Sequence, residues 1–174
     1  QSILQAVRTK TGNTVILVDI LENRLQQAKK AYPDVHTINA RTTDPVAAIH
    51  SITANRGVDI AFEAVGHHVQ LQDRPNQVRS CIQSIRGAGT VCVLGLGDEA
   101  LPLLLKELIW KEGRLVASRV TQGEFAETIT HLEKGDLKPE ALITDTILPR
   151  EIQDGFRLLA TEPDKHLKIM LNFT

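Results

Sequence analysis

The sequence predicts an α/β fold built on a doubly wound parallel sheet, and three observations carry that prediction. The runs "TVILV" (14–18), "VDIAFEAVG" (58–66) and "GTVCVLGLG" (89–97) are continuously apolar or β-branched, the pattern of strands buried on both faces. Between them lie segments whose apolar residues recur at helical spacing. The two patterns alternate along the chain, as parallel strands joined by crossover helices require.

Taken in order, Ile3, Leu4 and Val7 make one helical face that stops near Thr11-Gly12, where glycine suits a C-cap. The strand at 14–18 follows, then Leu21, Leu25, Ala28 and Ala31 at helical spacing. Val35 to Ile38 is a short strand. Asp44-Pro45 reads as an N-cap followed by proline at the first helical position, opening a helix with Val46, Ile49 and Ile52. After the strand at 58–66, Val78, Cys81, Ile82 and Ile85 form a helix face that leads to the most apolar strand, 89–97. "LPLLLKELIW" (101–110) leaves helix and strand both open, and "RLVAS" (114–118) is a strand. Phe125, Ile129 and Leu132 form a helix face ended by Gly135. Pro149, Ile152, Phe156 and Leu159 form another, and "LKIMLNF" closes as a strand.

The 174 residues suffice for an ordinary buried core, and 42% hydrophobic with 24% charged residues is the balance of a globular chain. A net charge of −1 offers no basic field for nucleic acid, and 3% aromatics offers no base-stacking surface. No apolar run approaches 18 residues, so no membrane span is expected. Cys81 and Cys92 lack metal-site spacing and read as buried free thiols of a reducing compartment, hence a cytoplasmic location.

Candidate chemistry centres on Asp19, at the carboxyl end of the first strand. Ligands of parallel sheets bind outside the carboxyl ends, where a carboxylate can accept both ribose hydroxyls of an adenosine and repel a 2′-phosphate. That favours NAD over NADP; the structural alternative is a cap for the helix starting near Leu21. The glycine-rich turn that normally accompanies such an acid stands roughly 20 residues upstream, and only eighteen residues precede Asp19 here. Gly95-x-Gly97 is a decoy, since no third glycine follows at the required spacing and the acid precedes it. His67-His68 reads as a solvated or pocket-rim pair, because adjacent side chains diverge and no ligand spacing surrounds them. No nucleophile elbow, HExxH or paired-carboxylate pattern is present, so no catalytic residue is assigned.

The ordered run "VILVDILENRLQQAKK…VDIAFEAVG…GAGTVCVLGLGDE…KELIWKEGRLVASR…LITDTILPREIQDGFRLL" resembles the medium-chain dehydrogenase/reductase superfamily, most of all its zinc-dependent alcohol, polyol and threonine dehydrogenase branch. The resemblance implies a Rossmann-like fold truncated at its N-terminus. Residue 1 would fall just past the GxGxxG turn, with the first sheet strand and a catalytic domain lying outside the chain. It implies a dinucleotide-binding domain over 1–119, and C-terminal helices and a strand over 120–174 returning toward that catalytic domain.

Roles follow residue by residue. Asp19 would bind the adenosine ribose, with Arg24 beside it. Ile20 and Val65 would lie near the adenine, and Ala64 would line the cleft. Leu94, Gly95 and Leu96 would pass the nicotinamide. The Leu94 and Ser118 carbonyls and the Val120 amide would hold its carboxamide. Lys168 stands where an arginine often reaches the pyrophosphate, keeping the charge but losing the bidentate fork. Ala117 replaces a customary glycine. The implied parent is an NAD-dependent oxidoreductase passing hydride between a small alcohol or polyol and the nicotinamide, with zinc in the domain outside this chain. The alternatives are a zinc-free quinone or enone reductase, or a non-catalytic dimerising module with weak or no NAD affinity. A homodimer through residues 101–118 is expected.

Overall fold

A computed structural model of the chain describes residues 1–66, 74–118, 121 and 123–174. In chain order its elements are α1 (Ser2–Lys10), β1 (Ile16–Asp19), α2 (Glu22–Ala31), β2 (His36–Asn39), α3 (Pro45–Ile52), β3 (Val58–Glu63), α4 (Gln77–Ser84), β4 (Ile85–Val93), α5 (Leu105–Trp110), β5 (Arg114–Ala117), α6 (Phe125–Glu133), β6 (Asp145–Ile147), α7 (Ile152–Thr161) and β7 (Ile169–Leu171). The α/β class is as expected, and every strand pairing is parallel. Among the described residues the strands form the ladders β1-β2, β3-β4-β5 and β6-β7. The chain divides into two compact units, Gln1–Asn39 with Gln122–Thr174, and Ala40–Thr121.

In the first unit, Leu4 of α1 and Ala28 of α2 close on Val35, with Val15, Leu17 and Tyr32 packed around them. A side-chain amide ties the ends of this unit together. Buried Gln5 donates through Nε2 to the Lys138 carbonyl and accepts the Lys138 amide on Oε1, each at 2.9 Å. The β6-β7 ladder is extended by the Thr144 amide donating to the Lys168 carbonyl at 2.9 Å.

In the second unit, α4 covers one face of β3-β4-β5. Val78, Ile82, Ile85 and Val91 are its buried centre, with Ala61, Cys81, Val93, Leu101, Leu103 and Leu108 against them. Asn76 caps α4 through Oδ1, which accepts from the Arg79 amide at 3.0 Å, and its Nδ2 donates to the Pro102 carbonyl at 2.8 Å. Arg79 then grips Glu107 of α5 with two hydrogen bonds of 3.0 and 2.8 Å. This fork holds the Glu107 carboxyl below its usual range. Asp44 caps α3 as its sequence implied, with Oδ1 accepting from the Val46 amide at 3.0 Å and Pro45 at the first helical position.

Four expectations change. The strands at 14–18 and 58–66 are not buried on both faces: Val18, Ile60 and Phe62 are 38%, 53% and 41% exposed. Among the described residues β1 and β3 each also pair along one edge only. Gly12 does not stop α1; the cap is extended Thr11, φ −154°, whereas Gly135 after α6 does take the left-handed conformation, φ +74°. The ambiguous 101–110 stretch divides, Leu103 packing on the core while Leu105, Ile109 and Trp110 of α5 stand 58%, 69% and 77% exposed. The expected strand at 89–97 starts earlier, at Ile85, and ends at Val93, so Leu94–Gly97 leave it as a turn. Among the described residues no helix is long and apolar enough to cross a membrane.

Removing the fully buried Ile82 side chain leaves a cavity under β4, so Ile82→Ala is expected to cost about 2–5 kcal/mol. Asp44→Ala, which removes only the α3 cap, is expected to cost about 1 kcal/mol. Urea denaturation followed by circular dichroism checks both, and equal losses would contradict the packing described.

Candidate functional site

Parallel pairing brings carboxyl ends to a common rim within each ladder, and the register fixes which residues share it. In the first ladder Asp19 pairs with Asn39. In the second, Glu63 pairs with Val93 and Val93 with Ala117, one row across three strands.

At the first rim, half-buried Asp19 turns Oδ1 back on its own chain. It accepts from the Ile20 amide at 2.7 Å and the Leu21 amide at 3.0 Å. Asp19 does not cap α2, whose N-cap is Leu21 with no side-chain cap; Oδ1 instead fixes the two residues between β1 and α2, which orients the carboxylate, and Oδ2 accepts from no described residue. Ile20 is half-buried beside it. Arg24 donates to the Pro163 carbonyl at 3.1 Å, and its Nε is buried without a hydrogen-bond partner among the described residues. On α2, Glu22 accepts from the Asn39 side chain at 2.8 Å, adding a second carboxylate that the sequence reading did not single out. Lys168 lies in this unit, exposed, immediately before β7.

At the second rim the structure brings together Ala64, Val65, Leu94, Gly95, Leu96 and Ser118. Where β3 ends, the Glu63 carbonyl accepts the Leu94 and Gly95 amides at 2.8 and 3.1 Å. Where β4 ends, the Val93 carbonyl accepts the Ser118 amide at 3.0 Å. Each strand thus holds the exit of its neighbour. Gly66 (φ +77°) and Gly95 are in close contact, and a Cβ on Gly95 would come within 2.5 Å of Glu63 Oε2. Ala64 and Ser118 are exposed, and Val65 and Leu96 are 46% and 74% exposed. Val120, and the His67-His68 pair, lie outside the described residues.

Sequence reasoning passed over Glu63, treating it only as an unpromising metal ligand. It is 5% exposed, and its Oε1 accepts the Val65 amide at 2.7 Å and the Gly66 amide at 3.3 Å. The available signal was an acid ending an apolar strand three residues before a glycine. Behind it, burial pushes the Cys81 thiol up to about 12, with the Glu63 charge adding to the effect. Cys81 and Cys92 are both free.

The donor set offers different fits to the two groups that the resemblance implies. A fixed carboxylate at Asp19 is an acceptor suited to sugar hydroxyls, as a nucleotide cofactor requires. Among the described residues no three His, Cys, Asp or Glu side chains converge as a metal site.

A zinc-binding dehydrogenase family model matches residues 2–134. The chain is 29% identical over 158 residues to an uncharacterized zinc-type alcohol dehydrogenase-like protein of Haemophilus influenzae, covering 91% of this chain and 44% of that protein. It is 28% identical over 167 residues to sorbitol dehydrogenase of Bacillus subtilis, covering 95% and 45%. Among solved structures, 2R,3R-butanediol dehydrogenase of Bacillus subtilis superposes with a TM-score of 0.86 at 22% identity, covering 99% of this chain and 47% of that one. A short chain alcohol dehydrogenase (rspB) of E. coli CFT073, complexed with NADH, gives 0.85 at 23%, covering 99% and 48%. The chain therefore spans about half the length of the relatives it matches.

The Cys81 environment has a direct chemical consequence. A thiol raised from 9.0 to about 12 holds roughly a thousandfold less thiolate at pH 8. Alkylation of Cys81 by iodoacetamide is expected to be slower than that of an unfolded control by about that factor, as peptide mapping would read. Because the folded pKa lies above the unfolded one, the associated stability is whole below pH 9.0 and falls as pH climbs toward about 12.

Proposed function

Because the chain belongs to the zinc-binding dehydrogenase family, we propose that it is the cofactor-holding portion of an NAD-dependent oxidoreductase acting on a small alcohol or polyol. The observation that supports this most is Asp19, at the carboxyl end of β1 with one oxygen tied to two backbone amides. Those amides hold the carboxylate in one orientation without neutralising its capacity to accept further hydrogen bonds. Asp19 then receives ribose hydroxyls and repels a 2′-phosphate. Ile20 and Val65 supply apolar contact to the adenine, and Ala64 lines the cleft. Leu94, Gly95 and Leu96 present the nicotinamide with backbone and apolar groups, the Leu94 and Ser118 carbonyls take its carboxamide, and Lys168 adds charge toward the pyrophosphate. NAD, when bound, supplies the hydride acceptor.

The second part of the proposal is self-association through residues 101–118. β5 is 39% and 43% exposed at Leu115 and Val116. Among the described residues it pairs only with β4. An apolar open edge invites another strand, and pairing across a two-fold axis closes it. Leu105, Ile109 and Trp110 of α5 add exposed apolar surface next to it in sequence.

Two measurements test these readings. Asp19→Ser is expected to weaken NAD binding by about 1–2 kcal/mol, roughly five- to thirtyfold, and to narrow the preference over NADP. Calorimetric titration with both cofactors decides it; unchanged constants for both overturn the assignment. For association, sedimentation is expected to give a dimer for the unsubstituted chain and a folded monomer for Leu105→Lys with Trp110→Lys. A monomer of the unsubstituted chain at tens of micromolar would sink the interface.

A further inference from the structure

We infer that Glu63 is a positioning residue: it clasps the turn after β3 to the turn after β4 and thereby sets the backbone on which the nicotinamide end of the cofactor would rest, an inference that leans on the cofactor reading above. Four amides from the two turns converge on this single residue. Its side chain takes Val65 and Gly66 at 2.7 and 3.3 Å, and its carbonyl takes Leu94 and Gly95 at 2.8 and 3.1 Å. A carboxylate 5% exposed is costly unless hydrogen-bonded. Here the amides that satisfy it belong to the rim itself, so its burial energy is coupled to the shape of that rim.

Steric evidence points the same way. Gly95 leaves no room for a side chain beside Glu63 Oε2 and the Gly66 backbone, and a Cβ on Gly66 would come within 2.5 Å of the Leu96 carbonyl oxygen. The two turns interlock around the carboxylate. The turn after β4 carries Leu96, a large apolar side chain 74% exposed, on the nicotinamide side of the proposed site. Apolar groups held open to solvent on a rigid backbone suit a flat heteroaromatic ring, because the ordering cost of the platform is met before the ligand arrives.

The chemistry separates charge from shape. Glutamine at 63 keeps an acceptor oxygen for Val65 and Gly66; alanine removes it; aspartate is one methylene too short to reach. The test uses the 174-residue chain, with amide exchange by NMR and titrations with NADH and with ADP-ribose, which lacks the nicotinamide. Glu63→Ala is expected to speed exchange at Val65 and Gly66, to weaken NADH about tenfold and to weaken ADP-ribose, whose adenine Val65 would touch, by about threefold at most, with the Ile82 and Val91 amides still protected. Glu63→Gln is expected to restore both readouts to near the unsubstituted values, and Glu63→Asp to resemble alanine.

Several results would overturn the inference: unchanged exchange at Val65 and Gly66 in Glu63→Ala, a parallel loss of NADH and ADP-ribose, or failure of glutamine to rescue. An unsubstituted chain that binds neither probe overturns the cofactor reading and the role in binding with it, while the exchange measurement still decides whether the clasp exists.

Discussion

A parallel strand can satisfy its backbone only with neighbours that arrive by crossover, and among the described residues β4 is the strand that has one on each side. The rest of the second unit depends on that double pairing. It buries Val91 completely, gives α4 a face to cover, and aligns Glu63, Val93 and Ala117 in one row. The exit of β4 is held by the end of β3, and the exit of β5 by the end of β4. Turns that would otherwise be loose are therefore extensions of the ladder. This is why a rim built largely from backbone and small residues keeps a definite shape.

The two rims use carboxylates differently. Asp19 is half-buried and turns one oxygen to two amides of its own chain. Glu63 is enclosed and serves the turns around it. Side chains of the same charge at the carboxyl ends of two strands thus differ in burial and in how many backbone amides they hold.

Some of this was legible in the sequence because its causes are local. Asp44-Pro45 announced α3 since the cap and the fixed ring act within three residues. The place of Asp19 at the end of β1 was legible because an apolar run closed by an acid is a local pattern. The start of β4 was hidden: α4 passes into it at Ile85 without a break, and Arg86, Gly87 and a left-handed Ala88 (φ +56°) mask the strand pattern. β6, three residues long, is too short to show any period. The exposure of Ile60 and Phe62 was not legible, since an apolar run says that a strand wants cover on both faces and not whether it has it. Glu63 escaped for the related reason that burial of a charge depends on which amides the fold delivers to it.

The nesting of the two units also orders events in time. Residues 40–121 are contiguous, whereas the other unit joins 1–39 to 122–174. On the ribosome, units fold as their residues emerge, so the inner unit has all its strands before the outer one can close. The β1-β2 ladder and the helices beside it then wait for distant partners, among them the Lys138 backbone that Gln5 grips. Vectorial synthesis would leave residues 1–39 waiting for 122–174, and a nascent chain that has not reached residue 122 would present that segment, rather than the rim around Glu63, to chaperones and proteases.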